Sequence, residues 1–413
     1  MSDARFMRLA LRLARLGYGM TSPNPMVGAL LVKRGRIIGR GWHRGAGLPH
    51  AEIEALRDAQ KRGYSPRGAT LYVTLEPCST HGRTPPCTDA IVAAEIKRVV
   101  VGAVDPNPKH AGRAFRILGR VGMEVEVFDA YREPRAGSST AATHPTLAGD
   151  CARLNEPFNH WIVQRTPFVT VKAAMTLDGK IATANGESKW ITGAEARAYG
   201  MKLRQGADAI LVGVNTVLSD DPSLTIRPPG NSKGNIQHST SNIQHPMRRR
   251  IVLDSMARTP LAAKVVSDEF APWTTIVVSK RAPKKRVAAL AGKVNVLVAP
   301  TQKAGRAVFS PRRRARSDAP CRKINLRWLL KILGGEKITS LLVEGGGEVN
   351  ASFLLGGLAQ RIAFFYAPTI LGGRDSRKAV AGEGVARPAE VLELRDLEWR
   401  KLGRDLLLTA RVG

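Results

Sequence analysis

Apolar and polar positions along this chain alternate between helical and extended periods. The opening MSDARFMRLALRLARLGYGM carries apolar residues at helical spacing between arginines. It lacks the long uncharged centre and small-residue cleavage site of a signal peptide, so it is expected to be the first helix of the fold. MVGALLVKRGRIIGRGWH predicts a hairpin: an apolar run, a Lys-Arg-Gly turn, then a second short strand. AEIEALRDAQKRG is amphipathic, with Ile53, Leu56 and Ala59/Gln60 at helical spacing and Gly63 as its stop. ATLYVTLEP predicts a buried strand, TDAIVAAEI a helix and RVVVGAVDPNP another strand. That alternation is an α/β layer arrangement. A second α/β unit has FVTVKAAM, ADAILVGV, RRRIVLDS, TTIVVS, VNVLVA, ITSLLVEGG and RIAFFYAP as its strands.

Between the two lies EPRAGSSTAATHPTLAGD, small, polar and Pro-bearing, which predicts a flexible linker. The expected division is therefore a first domain at 1–130, a linker at 131–165 and a second domain at 166–413. Two stretches in the second domain, near 230–247 and 301–322, lack apolar periodicity and predict disordered surface loops. The first holds NIQH twice, at 235–238 and 242–245, too short a tandem for a repeat array.

Composition adds three constraints. No run approaches the roughly 18 apolar residues of a membrane span, so no membrane partner and a cytoplasmic location are expected. Four cysteines (78, 87, 151, 321) in 413 residues make no disulfide framework. The formal net charge is +30, and residues 248–323 hold 19 Lys/Arg against 4 Asp/Glu, half of that excess. A solvated basic surface with loops accounts for this; an RNA partner is the alternative.

One chemical constellation stands in the first domain. His50-Ala51-Glu52 precedes the amphipathic helix, and Glu76-Pro77-Cys78 closes the next strand, with Cys87 eight residues further on behind STHGRTPP. Zinc takes imidazole nitrogen and thiolate sulfur tetrahedrally, and a catalytic site keeps one position for water. His50, Cys78 and Cys87 supply three ligands, and the metal lowers the pKa of water towards neutrality. Glu52 can then move the proton to a leaving amine. H-x-E followed by P-C-x-x-C marks zinc nucleobase deaminases; here the second interval is longer. His81, inside the loop, is a competing ligand, and Glu52 could also serve the helix dipole.

With these motifs in hand, TSPNPMVGALLV, HAEIEAL, YVTLEPCSTHGRTPPCTDAI and VVVGAVDPNP resemble the deaminase half of the bifunctional riboflavin-biosynthesis deaminase–reductases. The resemblance implies a cytidine-deaminase-like α/β/α domain that removes the 2-amino group of 2,5-diamino-6-(5-phosphoribosylamino)pyrimidin-4-one. It implies His50, Cys78 and Cys87 as zinc ligands, Glu52 as proton shuttle and Asn24 as a substrate contact, although Asn24 could equally be a turn residue between prolines. The family often has histidine where this chain has Thr80.

The second domain has LLVEGGGEVNASFL, a buried strand ending in Glu344, three glycines, then a helix. Backbone N–H groups there can approach a cofactor phosphate, or the glycines can form a tight structural turn. No G-x-G-x-x-G follows the first strand, so a Rossmann domain is not expected. KAAMTLDGKIA, GESKWIT and ADAILVGVNTVLSDDPSLTIR resemble the reductase half of the same family, with a dihydrofolate-reductase-like fold. That resemblance implies NADPH reduction of the ribosyl side chain of 5-amino-6-(5-phosphoribosylamino)uracil to ribityl. It places Ala174, Trp190, Thr216, Asp220, Gly345, Gly346 and Gly347 at NADPH, and Ser188, Arg204, Leu224, Arg227 and Glu344 at the substrate. Arg204 and Arg227 suit a sugar phosphate by bidentate bonding, and Lys172 could contact the ribose or be a surface lysine. An RNA-acting zinc deaminase is the alternative function; it explains the charge but leaves the second domain without a purpose. Homo-oligomerisation through a sheet edge is compatible with such a fold.

Overall fold

The computed structural model describes residues 2–81, 85–128, 146–226, 247–300 and 324–413. The chain divides into two compact units, Met1–Arg165 and Thr166–Gly413.

In chain order the first unit runs α1 (Asp3–Ala14), β1 (Gly28–Lys33), β2 (Arg36–Trp42), α2 (Ala51–Lys61), β3 (Thr70–Val73), α3 (Cys87–Ala93), β4 (Arg98–Val101), α4 (Arg113–Arg120), β5 (Glu124–Val127), α5 (Leu147–Leu154) and α6 (Glu156–Gln164). The strands form one sheet in the order β2-β1-β3-β4-β5. β1 pairs antiparallel with β2 and β3, while β3, β4 and β5 are parallel. Period-two alternation sorts β1 between two cores. Ala29 and Leu31 pack with Ala51 and Ala55 of α2, Ile91 of α3 and Leu118 of α4. Leu30 and Val32 pack with Phe6, Met7 and Ala10 of α1 and Cys151 of α5. The result is a helix–sheet–helix sandwich. The hairpin turns on Arg34 and Gly35, both at positive φ (49° and 73°), the twist-compatible arrangement for a two-residue connection.

Two glycines in β2 set the position of α2. A Cβ on Gly39 would lie 2.2 Å from the Ala55 carbonyl oxygen, and one on Gly41 2.1 Å from that of Ala51. Helix and strand therefore meet backbone to backbone, which fixes His50 and Glu52 at the start of α2.

The described part of the expected linker, 146–165, is instead two helices belonging to the first unit. Thr146 caps α5 by accepting from Gly149 N (3.1 Å). Cys151 is fully buried, and Asn155 makes paired hydrogen bonds with the Met26 backbone (2.8 and 2.9 Å). Of the small residues in the described part, Ala148 is buried.

The second unit runs β6 (Phe168–Thr176), β7 (Lys180–Ala182), α7 (Ala194–Gly206), β8 (Ala209–Gly213), α8 (Val214–Asp220), β9 (Arg249–Leu253), α9 (Lys264–Ser267), β10 (Thr274–Ser279), α10 (Lys284–Ala291), β11 (Asn295–Ala299), α11 (Leu326–Gly335), β12 (Ser340–Val343), α12 (Gly347–Leu354), β13 (Arg361–Ala367), β14 (Arg377–Lys378), β15 (Leu394–Leu402) and β16 (Asp405–Val412). Nine strands form one sheet, β11-β10-β9-β8-β12-β6-β13-β16-β15, and β7 pairs with β14 apart from it. Pairing is parallel from β11 to β13 and antiparallel at β16 and β15. All seven strands read from the sequence are present. The polar β15, exposed along nearly its whole length, and its partner β16 lay beyond that reading.

Apart from Met247, the two aperiodic stretches fall outside the described residues, as does Cys321. The Arg248–Arg250 run does not form the solvated surface expected of it. Arg250 is 1% exposed. Its guanidinium pairs with both Asp268 oxygens (2.6 and 2.7 Å), Thr274 Oγ1 (2.8 Å) and the carbonyls of Ser223 and Val265. All five donors are used, which is the condition for burying a guanidinium.

Candidate active sites

In the first unit, His50 ends the loop before α2 in extended backbone (φ −73°, ψ 164°). Cys78 follows β3, and Cys87 is the first residue of α3. His50 Nδ1 lies 3.4 Å from Cys78 Sγ and 3.3 Å from Cys87 Sγ, and the three donor atoms all fall within 4.8 Å of one another. Tetrahedral zinc, with Zn–S of about 2.3 Å and Zn–N of about 2.0–2.1 Å, sets its ligand atoms roughly 3.6 Å apart, so this donor set fits the ion. The Cys87 backbone N–H donates to Cys78 Sγ (3.2 Å).

Electrostatics agree with a cation site. Hydrogen bonds from the Cys87 thiol and from His50 favour the Cys78 thiolate and bring it down to about 4. That thiolate and burial push the Cys87 thiol up. His50 is raised, first by its bond to Cys78. Glu52 is 3% exposed, and burial followed by the negative Cys78 pushes its carboxyl up to about 7. Two sulfurs and a carboxylate cannot all ionise in so small a space without a positive charge among them.

Two residues that sequence reasoning did not single out complete this site. Buried His43 shows its Nδ1 to the Pro49 carbonyl (3.1 Å) and its Nε2 to Asn24 Nδ2 (3.1 Å). A carbonyl only accepts, so Nδ1 carries the proton and Nε2 accepts from the Asn24 amide. Burial lowers the His43 pKa and favours that neutral tautomer. Asn24 is thereby oriented, with its amide oxygen left for another partner. Glu76 is buried and accepts from Asp105 N (3.3 Å), Gly112 N (3.0 Å) and Ala114 N (3.0 Å), tying the loop before α4 to the Glu-Pro-Cys turn. Its only sequence signal was an acid at the end of a buried strand. Thr80 Oγ1 lies 3.4 Å from His110 Nε2. His81 is exposed and stands outside the three-residue donor group.

In the second unit, β6, β8, β9 and β12 end around an open cavity of about 2130 Å³. Ligands of open parallel sheets lie at such carboxyl ends. The cavity lining includes Ala174, Trp190, Thr216, Asp220 and Gly345–Gly347, and also Lys172, Ser188, Arg204, Leu224 and Glu344. Arg227 falls outside the described residues.

The glycines differ in kind. A Cβ on Gly345 would meet Val349 at 2.5 Å and one on Gly347 the Lys378 carbonyl at 2.3 Å, whereas Gly346 faces open space. Packing accounts for two of them, and the third leaves backbone bare at the cavity wall where a cofactor phosphate could approach. Leu224, 2% exposed, adopts φ 52°, a rare conformation for a bulky side chain that nothing in the sequence signals. Trp190 is 70% exposed with Arg197 stacked 4.7 Å from its ring centre.

Arg204 departs from its expected part. Its Nε and Nη2 donate to the two Glu344 oxygens (3.0 and 2.7 Å), and Nη1 donates to the Thr225 carbonyl (3.0 Å). The fork that would hold a sugar phosphate is occupied by a carboxylate. Burial drives the Glu344 carboxyl upward, but Arg204 and then Lys172 outweigh it and hold it at about 2.

Comparison with known proteins follows the same division. Residues 1–103 match the cytidine and deoxycytidylate deaminase zinc-binding region, and residues 167–408 match the RibD C-terminal domain. The chain is 41% identical to the riboflavin biosynthesis protein RibD of Aquifex aeolicus, over 98% of this chain and 97% of that one. It is 34% identical to the Escherichia coli protein of the same name over 99% of both. The structure of Acinetobacter baumannii RibD superposes with a TM-score of 0.76 at 32% identity, covering 100% of this chain and 99% of that one. A Thermotoga maritima structure, described as a diaminohydroxyphosphoribosylaminopyrimidine deaminase/5-amino-6-(5-phosphoribosylamino)uracil reductase, gives 0.74 at 32% identity, covering 99% and 98%. The RNA-acting alternative receives no support from these matches. This chain belongs to the RibD family of bifunctional riboflavin-biosynthesis enzymes, which join a zinc-dependent deaminase to an NADPH-dependent reductase.

Proposed function

We propose that the first unit deaminates 2,5-diamino-6-(5-phosphoribosylamino)pyrimidin-4-one and that the second reduces the ribosyl side chain of the resulting uracil to ribityl. The observation that carries this reading is the meeting of His50, Cys78 and Cys87 at one point with Glu52 buried beside them. Zinc held by those three residues would lower the pKa of water and so supply a nucleophile at neutral pH. Glu52, buried beside the three donors, is placed to take a proton from that water and return it to the departing amine. Asn24, oriented by His43, contacts the pyrimidine or its ribose.

In the second unit NADPH would supply hydride to C1′ of the opened sugar. Glu344 stays ionised against Arg204, so it accepts hydrogen bonds from sugar hydroxyls and gives no proton. Arg204 acts through Glu344 and holds no phosphate itself. Lys172 faces the same carboxylate and is assigned to the substrate with Ser188 and Leu224; Ala174, Trp190, Thr216, Asp220 and Gly346 are assigned to the cofactor. No helix among the described residues is long and apolar enough to cross a membrane, and we read the enzyme as cytoplasmic with a small-molecule partner.

The direct test incubates the protein with the diaminopyrimidine phosphate, with and without NADPH, and identifies products by mass. Deaminated product alone is expected without NADPH, and the ribitylamino product with it. Unchanged diaminopyrimidine in both tubes would overturn the reading.

A further inference from the structure

Two loops of the first unit meet just beyond its metal donors. One leaves Cys78 through Ser79, Thr80 and His81; the other runs from Asp105 to Gly112 and into α4. The second is fixed along its length. Asp105 N and Gly112 N donate to Glu76 at 3.3 and 3.0 Å. Asn107 N donates to Asp105 Oδ1 at 2.8 Å. The Asn107 carbonyl accepts from His110 N and Ala111 N at 2.8 and 3.0 Å, and Arg113 N donates to the His110 carbonyl at 2.7 Å. Hydrogen bonds on both sides of His110 thus hold its backbone in place opposite Thr80.

The side chains where the loops meet are short of partners. Thr80 Oγ1 and His110 Nε2 stand 3.4 Å apart, longer than a good hydrogen bond. His110 Nδ1 is buried with no partner among the described residues. So is the hydroxyl of Ser79, a residue only 7% exposed. Buried polar atoms are nearly always paired, with protein, water or a ligand. Two orphaned atoms on neighbouring loops therefore mark a place where a polar partner binds. Lys109 and His81 lie next to the pair in the chain; both are exposed, and neither has an ion-pair partner among the described residues.

We propose that His110 binds the phosphoribosyl arm of the deaminase substrate, in place of the histidine that family members often carry at position 80; this rests on reading the first unit as the deaminase. Threonine at 80 is shorter than histidine by a whole ring. His110 Nε2 lies beside its hydroxyl, within reach of where an imidazole on residue 80 would stand. The carbon that loses its amine must lie at the metal donors, so the arm, attached on the far side of a ring nitrogen, points away from them. The chain from buried Ser79 through half-buried Thr80 to exposed His81 leads outward in the same way. An imidazole N–H can donate to a phosphate or ribose oxygen, and the exposed Lys109 beside it adds the positive charge that a phosphate requires.

The test measures deamination kinetics of the full chain on the diaminopyrimidine phosphate and on the same compound without its phosphate. Wild type, His110→Ala and the double variant Thr80→His/His110→Ala are compared. His110→Ala is expected to raise KM for the phosphorylated substrate by roughly 10- to 100-fold, the range for a lost hydrogen bond to a charged group. Its kcat should stay near wild type, as for loss of a contact made equally in ground and transition states. KM for the dephosphorylated compound, zinc content and NADPH oxidation on separately supplied deaminated substrate should not change. Returning histidine to position 80 in the double variant should recover much of the lost affinity. An unchanged KM in His110→Ala, an equal rise for both compounds, loss of zinc, or no recovery in the double variant overturns the assignment of His110. A wild-type chain that deaminates neither compound overturns the reading of the first unit instead.

Discussion

Replacing Arg204 by methionine tests the most consequential pairing in the second unit. Both side chains of the Arg204–Glu344 pair are 10% exposed, so removing the guanidinium strands a buried carboxylate. Breaking buried pairs in this way costs about 3–5 kcal/mol. The fall of the Glu344 pKa from 4.5 to about 2 gives an independent figure: at 1.36 kcal/mol per tenfold change in proton affinity, the folded state favours the ionised form by about 3 kcal/mol. In the wild type this stabilisation is present above 4.5 and is lost as pH falls from there towards 2. Without Arg204, burial outweighs Lys172 and the carboxyl shifts upward, so folding takes up a proton. The variant therefore gains stability as pH falls from 7 towards 5, where this group leaves the wild type unchanged. Urea unfolding followed by circular dichroism should show a loss of about 3–5 kcal/mol at pH 7 that shrinks at pH 5. Hydrogen exchange in peptides spanning β8 and β12 should locate it, because Glu344 N bonds the Leu211 carbonyl between those strands. Adding Glu344→Gln should recover part of the loss. A deficit below about 1 kcal/mol, the range of an exposed pair, or one equal at both pH values, would refute the argument.

Three further substitutions address the first unit. Glu52→Gln should keep zinc while deamination falls by about 10²- to 10⁴-fold, with NADPH oxidation on separately supplied deaminated substrate preserved; metal analysis and the two assays on one preparation decide this. Cys87→Ser should lower zinc from about one ion per chain, and wild-type stoichiometry in the variant would remove Cys87 from the ligand set. Glu76→Ala leaves three backbone N–H groups without their carboxylate, each bond to a charged acceptor being worth about 1.5–3 kcal/mol. Zinc affinity measured by chelator competition should weaken by about 10- to 100-fold, as for other supports of metal ligands. An unchanged affinity would mean that the loop before α4 does not hold the Glu-Pro-Cys turn.

What could be read beforehand divides along physical lines. The β1–β2 hairpin and α2 were legible because period and turn chemistry are local. His50, Glu52, Cys78 and Cys87 were legible because zinc chemistry admits few residue types, so the motif survives a lengthened interval. The helices at 147–164 were not, since small residues serve equally in a mobile linker and in a close contact; only the fully buried Cys151 separates the two. His43 escaped because a lone histidine carries no signal until its neighbours Asn24 and Pro49 are known.

Arginine is the sharpest case of that ambiguity. Arg204 and Arg250 had the composition of phosphate-binding or surface residues, yet each closes on a carboxylate brought from elsewhere, Glu344 from 140 positions away and Asp268 from 18. A guanidinium needs its donors satisfied wherever it lies, and sequence alone does not say whether a carboxylate, a substrate phosphate or water will do so. The same accounting bears on the net charge of +30. Each internal pair removes one positive and one negative charge from the surface together and leaves the excess intact. The excess must therefore reside on cations without carboxylate partners, such as, among the described residues, Arg377 at the second unit's cavity. A site for a phosphorylated cofactor is to be sought at such a residue rather than at the arginines most deeply placed in the fold.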